Sequence, residues 1–369
     1  MKKTLIALAA LAAVGTASAQ STVTLSGILK AGVAQTKYSN AAVGNGSSLG
    51  VADGSSRFIL SGSEDLGGGL RANFQIDNRF RLDDNGAAPT SNPVGTGSTF
   101  LGLSGGFGNL QIGKLDTHYC LGADSNASRA TALQASSCAI VGFVPVAGVN
   151  TGIAQLTRSM NVLRYTTPNM SGFTASATYS TAQAGSEGAV GDAGKGRAIS
   201  GALNYAAGPI RAGLSVWDSK SESRVAGAAQ ADQESISAVL GYDFGMGSIG
   251  LGLDRSTVTT GLIGGATVET RRNAWSVPVT FKLGTGTLLA TYSRANDVSG
   301  TANSGANMWS VGYEYPLSKR TSLGVSYVRL DNKAAGAYQL YTQASLSGLP
   351  ANVTGQDASQ FYVGVRHTF

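Results

Sequence analysis

Period-two alternation of apolar and polar residues, in runs of about eight to eleven positions, is the feature that leaves this chain the fewest choices. In Phe173-Thr174-Ala175-Ser176-Ala177-Thr178-Tyr179 every odd position is apolar and every even one polar. Ile236, Ala238, Leu240, Tyr242 and Phe244 repeat the pattern against Ser235, Ser237, Gly241 and Asp243. Trp309, Val311, Tyr313 and Tyr315 face away from Ser310, Gly312 and Glu314. Successive side chains of a strand point to opposite faces, so each run reads as a β-strand with one greasy and one wet side.

Tight Gly- or Pro-containing turns punctuate these runs at Leu66–Gly69, Gly105–Gly108, Pro168–Gly172, Ala207–Pro209, Gly245–Gly247, Gly284–Gly286 and Leu317–Arg320. Roughly 33 to 40 residues separate successive turns, enough for a strand, a longer polar loop and a second strand. Seven turns flanked by two strands each, with one more strand from Val23 and one from Ser359, predict sixteen. Short turns at one rim, long loops at the other and strands of about ten residues are the pattern of an outer-membrane barrel. Such a barrel must close, because an unpaired backbone edge in hydrocarbon costs several kcal/mol per group. Tyrosines at strand ends (Tyr165, Tyr179, Tyr205, Tyr242, Tyr292, Tyr315 and Tyr327) suit interfacial girdles.

The competing reading of the alternation is a secreted β-sandwich, and the ends of the chain argue against it. Residues 1–19 combine Lys2 and Lys3, the apolar run Leu5–Val14 and Ala17-Ser18-Ala19, the layout of a cleavable secretory leader. Beyond it no run of eighteen apolar residues exists, so a helical span is excluded, and no Pro-rich or charged linker divides residues 20–369. The last strand alternates Phe361, Val363, Val365, His367 and Phe369 with Tyr362, Gly364, Arg366 and Thr368. A water-soluble domain has no reason to finish on an exposed phenylalanine. Formal charge is +6 and about +4 without the leader, with no dense Lys/Arg block, which argues against a nucleic-acid surface.

One interval is exceptional. From Gly108 to Pro168 the gap is about 60 residues, and within it residues 117–158 break the alternation. That stretch holds both cysteines, Cys120 and Cys138, as well as His118 and a single carboxylate, Asp124. Long irregular loops are uncommon unless they bind, gate or cover something, so this one is expected to fold into the barrel and narrow it. His118 is a candidate for the pore mouth. The two cysteines are exported to an oxidising compartment and are expected to form a disulfide that stiffens the constriction; closing that loop is worth roughly 3 kcal/mol in the chain-entropy account.

Segments spread over the mature chain resemble the general porins of Gram-negative bacteria, in particular the trimeric sixteen-stranded porins of β-proteobacteria. They are Ser21–Gly27, Ser61–Leu70, Gly102–Gly108, Arg164-Tyr165 with Pro168-Asn169, Leu317–Leu323 and Gly364–Phe369. The resemblance implies an all-β, 16-stranded antiparallel transmembrane barrel with its third extracellular loop, residues 117–158, folded into the lumen. It implies a homotrimer in the outer membrane, in contact with lipid and lipopolysaccharide. Phe369 would be the residue that the barrel-assembly machinery reads. It also implies a transverse field between a basic wall and the loop.

Parity assigns the wall charges. With Val23, Leu25 and Leu29 toward lipid, Lys30 points inward; with Phe58, Leu60 and Gly62 outward, Arg57 points inward, as do Arg71, Asn73, Gln75 and Asp77 on the next strand. By resemblance Arg57 and Arg158 match wall arginines, and Arg164 has the family's Arg-Tyr context. Lys114 matches the basic residue after Ile-Gly, although simple parity turns it outward and a bulge is needed to bring it in. Asp124, with Asp116 before the loop and Arg129 inside it, leaves basic residues dominant at the constriction. Small anions should therefore be favoured in a water-filled passage for small hydrophilic solutes. A solute-specific channel of the same fold is the nearest alternative, and a structural or adhesive barrel a more distant one.

An enzyme is not expected. Gly102-Leu103-Ser104-Gly105-Gly106 satisfies G-x-S-x-G without a helix to form the elbow, and Gly245–Gly250 satisfies G-x-G-x-x-G between antiparallel strands. Two distant histidines and two cysteines expected to be bonded provide no metal constellation, and no cofactor is expected.

Overall fold

The computed structural model describes residues 21–39, 45–82, 95–118, 129–152, 158–181, 196–220, 227, 229–341 and 353–369. The expected leader, Cys120 and Asp124 lie outside them. The strands are β1 (Thr22–Ser39), β2 (Gly46–Asp53), β3 (Arg57–Gly67), β4 (Leu70–Arg79), β5 (Thr99–Gly105), β6 (Gly108–Asp116), β7 (Phe143–Val146), β8 (Val149–Gly152), β9 (Arg158–Thr166) and β10 (Phe173–Ser180). They continue as β11 (Arg197–Ala207), β12 (Ile210–Lys220), β13 (Ala229–Asp243), β14 (Gly247–Leu262), β15 (Thr267–Leu283), β16 (Gly286–Ala295), β17 (Ala306–Pro316), β18 (Thr321–Asn332) and β19 (Asp357–Thr368).

Seventeen of these strands form one antiparallel sheet, and β7 with β8 forms a separate hairpin. Both β2 and β3 pair with β1, at Ala31–Tyr38 and Thr22–Ile28 respectively, so they lie in line as one wall strand and the wall counts sixteen. Pairing of β1 with β19 from Ile28↔Thr368 to Ser39↔Asp357 closes the cylinder. The terminal residue completes the seam: Phe369 N–H donates to the Gly27 carbonyl at 3.2 Å, and Gly27 N–H donates to the Phe369 carbonyl at 3.0 Å. Among the described residues every wall strand has a neighbour on both sides, so no edge strand is left for lipid to meet.

Each of the seven tight turns joins two successive wall strands, as the alternation predicts. Strand length is where expectation and structure part. Instead of about ten residues, β13, β14 and β15 run to 15, 16 and 17, and only residues 263–266 separate β14 from β15. Their ladder continues as far as Gly261↔Thr267, past outward Thr257 and Thr259, so hydrogen-bonded strand extends beyond the apolar band and takes the place of a long loop.

The outer face is apolar. Leu101 and Ile112 are 65% and 62% exposed in the isolated chain, an arrangement that only lipid or another protein surface tolerates around a whole molecule. Trp275 stacks near Tyr292 and Trp309 near Tyr327, with ring centroids 5.3 Å apart in both pairs, as expected of an interfacial girdle.

The inner face is polar except on one side, where an internal core forms. Residues 132–141, including a helical turn α1 (Cys138–Val141), pack with Tyr338, Leu340 and Tyr341 against inward-facing Ala274, Met308, Val328, Leu330 and Tyr362 of the wall. The wall makes room where this chain crosses it. A side chain on Gly324 would meet the Ala130 carbonyl at 2.4 Å, and one on Gly312 the Thr131 methyl at 2.6 Å.

Candidate functional site

Charged residues converge where four wall strands end on the side opposite the short turns. Arg57 opens β3 and pairs in register with Arg79, which ends β4. Asp116 ends β6 and pairs with Arg158, which opens β9. Arg79 interacts electrostatically with Arg57, Arg158, Asp77 and Asp116, and Lys114 with Arg158, Arg79, Asp116 and Asp77. The result is four basic groups around two carboxylates.

Lys114 enters this group through the irregularity its position required. The β6–β9 register shifts between Gly113 and Leu115. Gly113 has φ 148° and Asn161, on the other strand, φ 52°. A side chain at Gly113 would meet the Thr99 carbonyl at 2.3 Å, so only glycine permits the bulge. Asp116 is shared among several partners: its Oδ1 lies 3.2 Å from Arg158 Nε, and its Oδ2 accepts from Ser98 Oγ at 3.0 Å. The Arg158 contact is an ion pair without hydrogen-bond alignment, because neither atom has a hydrogen-bond partner. Arg57 Nε is likewise buried without one. Asp77 lies 3.4 Å from Arg79 Nη2.

Arg164 extends the basic surface. Its Nε and Nη2 donate to Gln111 Oε1 at 3.1 and 2.7 Å, and its Nη1 donates to the Asp116 carbonyl at 2.8 Å. Two further expected positions stand apart. Lys30 points inward but is only 1% exposed, because Gly54–Ser56 lies against its stem and Ser56 Oγ accepts from its backbone N–H. Arg71 is exposed beside the Gly67–Gly69 turn and donates to Ser63 Oγ. Eight residues separate it from Arg79 along β4, about 26 Å of strand.

Residues 118 and 129–141 contact the inward-facing wall at separate places. Glu314 Oε1 accepts from Ala130 N–H at 3.0 Å and from Ser322 Oγ at 2.7 Å, while its Oε2 lies 3.2 Å from Arg129 Nη1. Ala132 N–H donates to Ser326 Oγ at 3.0 Å. His118, expected at the pore mouth, is buried instead: its Nδ1 lies 2.6 Å from Ser215 Oγ and its Nε2 2.9 Å from Ser235 Oγ. Burial pushes its pKa down to about 4 against the opposing pull of Asp254. A cavity of about 750 Å³ remains on the short-turn side, lined by Arg129, Asn204, Arg211, Ser248, Thr280 and Lys282 among others.

Arg79 and the buried pair Asp254–Arg272 are site residues that the sequence reading passed over. Parity would have found Arg79, two positions beyond inward Asp77 on the same strand. Asp254 and Arg272 also have inward parity, but nothing local distinguishes them from other wall charges.

Known proteins resemble this chain at the level of family profile, sequence and fold. A profile of the Gram-negative porin family matches residues 5–335. Outer membrane porin protein 32 of Delftia acidovorans is 31% identical over 377 residues, covering 100% of both chains. An outer membrane porin protein of Bordetella pertussis is 29% identical over 371 residues, covering 88% of this chain and 92% of the other. Among solved structures, the anion-selective porin from Comamonas acidovorans superposes with a TM-score of 0.76 at 26% identity, over 95% of this chain and 100% of that one. The trimer form of OmpT from Vibrio cholerae, at 14% identity and a TM-score of 0.63 over 95% and 99% of the two chains, shares the fold.

Proposed function

The chain belongs to the Gram-negative porin family, and from that premise we propose an anion-preferring diffusion channel narrowed by residues 117–158. As a member it is an outer-membrane porin, a sixteen-stranded barrel that conducts small hydrophilic solutes and ions. The preference for anions rests on one observation: Arg57, Arg79, Lys114 and Arg158 surround only Asp77 and Asp116, with Arg164 adjoining. Low-dielectric walls close to confined water make such an excess felt by every passing ion. The similar barrel from Comamonas acidovorans is described as anion-selective, which supports the same sign here. Narrowing by residues 117–158 is supported by the contacts of His118 and Arg129–Val141 with inward side chains of β12 to β18. Assembly as a homotrimer is the expectation for this family, and OmpT is described in a trimer form.

Reversal potential across a planar bilayer in a KCl gradient tests the selectivity. Chloride preference is expected, and potassium preference would sink the charge assignment. The loop carries a second, chemical prediction. Cys138 is expected to be bonded to Cys120, the chain's only other cysteine. Mass spectrometry of the unreduced protein should show a Cys120–Cys138 cross-linked peptide, whereas two alkylatable thiols in the native protein would reject the bond.

A further inference from the structure

We propose that Asp254, on the wall strand β14, is a positioning residue of the channel: one buried carboxylate that holds the inward segment at two places, its entry at His118 and the end of α1 at Val141. The proposal rests on the reading of residues 117–158 as the constriction and adds what sets that segment's position.

The side chain of Asp254 is 2% exposed. Its Oδ1 accepts from Arg272 Nη2 at 2.7 Å and from Ser256 Oγ at 2.7 Å. Its Oδ2 accepts from Ser237 Oγ at 2.7 Å and from Ser235 Oγ at 2.9 Å. Each acceptor oxygen is thereby linked to one of these two places. From Oδ1 the path runs through Arg272, whose Nη2 also donates to the Val141 carbonyl at 2.9 Å, the last residue of α1. From Oδ2 it runs through Ser235 and Ser237, whose oxygens lie 2.9 and 3.2 Å from His118 Nε2.

The donors are ordered by this geometry. Ser235 and Ser237 spend their hydroxyl hydrogens on the carboxylate, so they accept from His118 Nε2–H, and His118 Nδ1 accepts from Ser215 Oγ. A neutral imidazole in a single tautomer satisfies every contact. Asp254 thus orients its serines toward the segment's entry and Arg272 toward the end of α1. Removing the carboxylate strands a fully buried guanidinium, which must turn toward another acceptor and release Val141.

These bonds do not hold the barrel shut. The ladders on both sides of β14 are continuous through Asp254, pairing it with Ser237 and with Ala274. The effect of losing the carboxylate therefore falls on the segment.

The test is electrical. Full-length Asp254→Asn, reconstituted in planar bilayers after its folded state is verified by heat-modifiable gel mobility, should show increased open-channel noise and a reversal potential shifted toward zero. His118→Ala and Arg272→Leu should each do the same, and the double variant should add little to either, because both act through one carboxylate. Asp254→Glu should recover part of the wild-type behaviour, and Asp218→Asn, an outward-facing carboxylate on β12, should leave it unchanged. Wild-type noise and selectivity in folded Asp254→Asn would overturn the proposal, as would full additivity of the two partner substitutions. Should Asp254→Asn not fold, His118→Ala, which lies outside the wall strands, decides the matter on noise alone. A wild-type channel that prefers cations would overturn the selectivity reading only, since noise and coupling are read without reference to sign.

Discussion

With Arg57 and Arg79 both replaced by glutamine, the anion preference of the channel is expected to collapse, and the reversal potential in a KCl gradient to move close to zero. The substitution leaves Lys114 and Arg158 facing Asp77 and Asp116, a locally neutral set, and it preserves the Arg158–Asp116 ion pair at 3.2 Å. For an ion about 8 Å away in a medium of effective dielectric constant near 40, each lost charge is worth ~1 kcal/mol. Counter-ions at about 0.1 M salt roughly halve that. Two charges act in opposite directions on anion and cation, so the permeability ratio should change by about 2 kcal/mol, roughly 30-fold. Arg71→Gln is the matched control. It removes one charge, half the change of the double variant, from the strand that carries Arg79, about 26 Å nearer the short turns, and should leave the ratio within a small factor of wild type. A shift in Arg71→Gln half as large as that of the double variant would mean that diffuse lumen charge, and not this cluster, decides selectivity.

Acid should unseat the entry of the inward segment through His118. The sign follows from the depressed pKa: the folded protein holds this imidazole neutral down to about pH 4, whereas an exposed imidazole takes up its proton near 6.5. Its contribution is fully present above pH 6.5 and is lost as pH falls through 4, where protonation must accompany release or cost the buried contacts. A shift of that size corresponds to roughly 3 kcal/mol, most of it lost between pH 6.5 and 4. Single-channel records at pH 7, 5.5 and 4.5 should become progressively noisier in wild type. His118→Gln should be noisier at pH 7 and far less responsive to pH. A wild-type trace as quiet at pH 4.5 as at pH 7 would remove His118 as an anchor.

The two expectations differ in how visible they were beforehand. Arg57 and Arg158 could be picked out from alternation and family resemblance, and Arg79 follows from the same parity rule applied one step further along β4. His118 could not be placed. Its partners, Ser215, Ser235 and Ser237, belong to strands about a hundred residues away, and serines on an inward face look alike whether they meet water or a histidine. Lys30 shows the same limit from the other side. Parity sends it inward correctly, yet whether an inward lysine reaches the lumen depends on the Gly54–Ser56 stretch that lies against it. Lys114 falls between these cases: the chain announces a basic residue after Ile112-Gly113, but its direction depends on a register shift against β9.

The amino-acid order alone determined the closed cylinder, the positions of its seven short turns and, outside the bulge at Gly113, the face each strand residue presents. These depend on period-two geometry and local turn chemistry, which neighbouring residues dictate. Only the tertiary structure decided which inward charges stay open to the passage and which are consumed as anchors. Glu314 and Asp254 read as lumen carboxylates until Ala130, Arg129, Arg272 and Val141 arrive beside them. Where a loop lands on a distant wall is settled by contacts between residues about a hundred or more positions apart, and no local pattern encodes it.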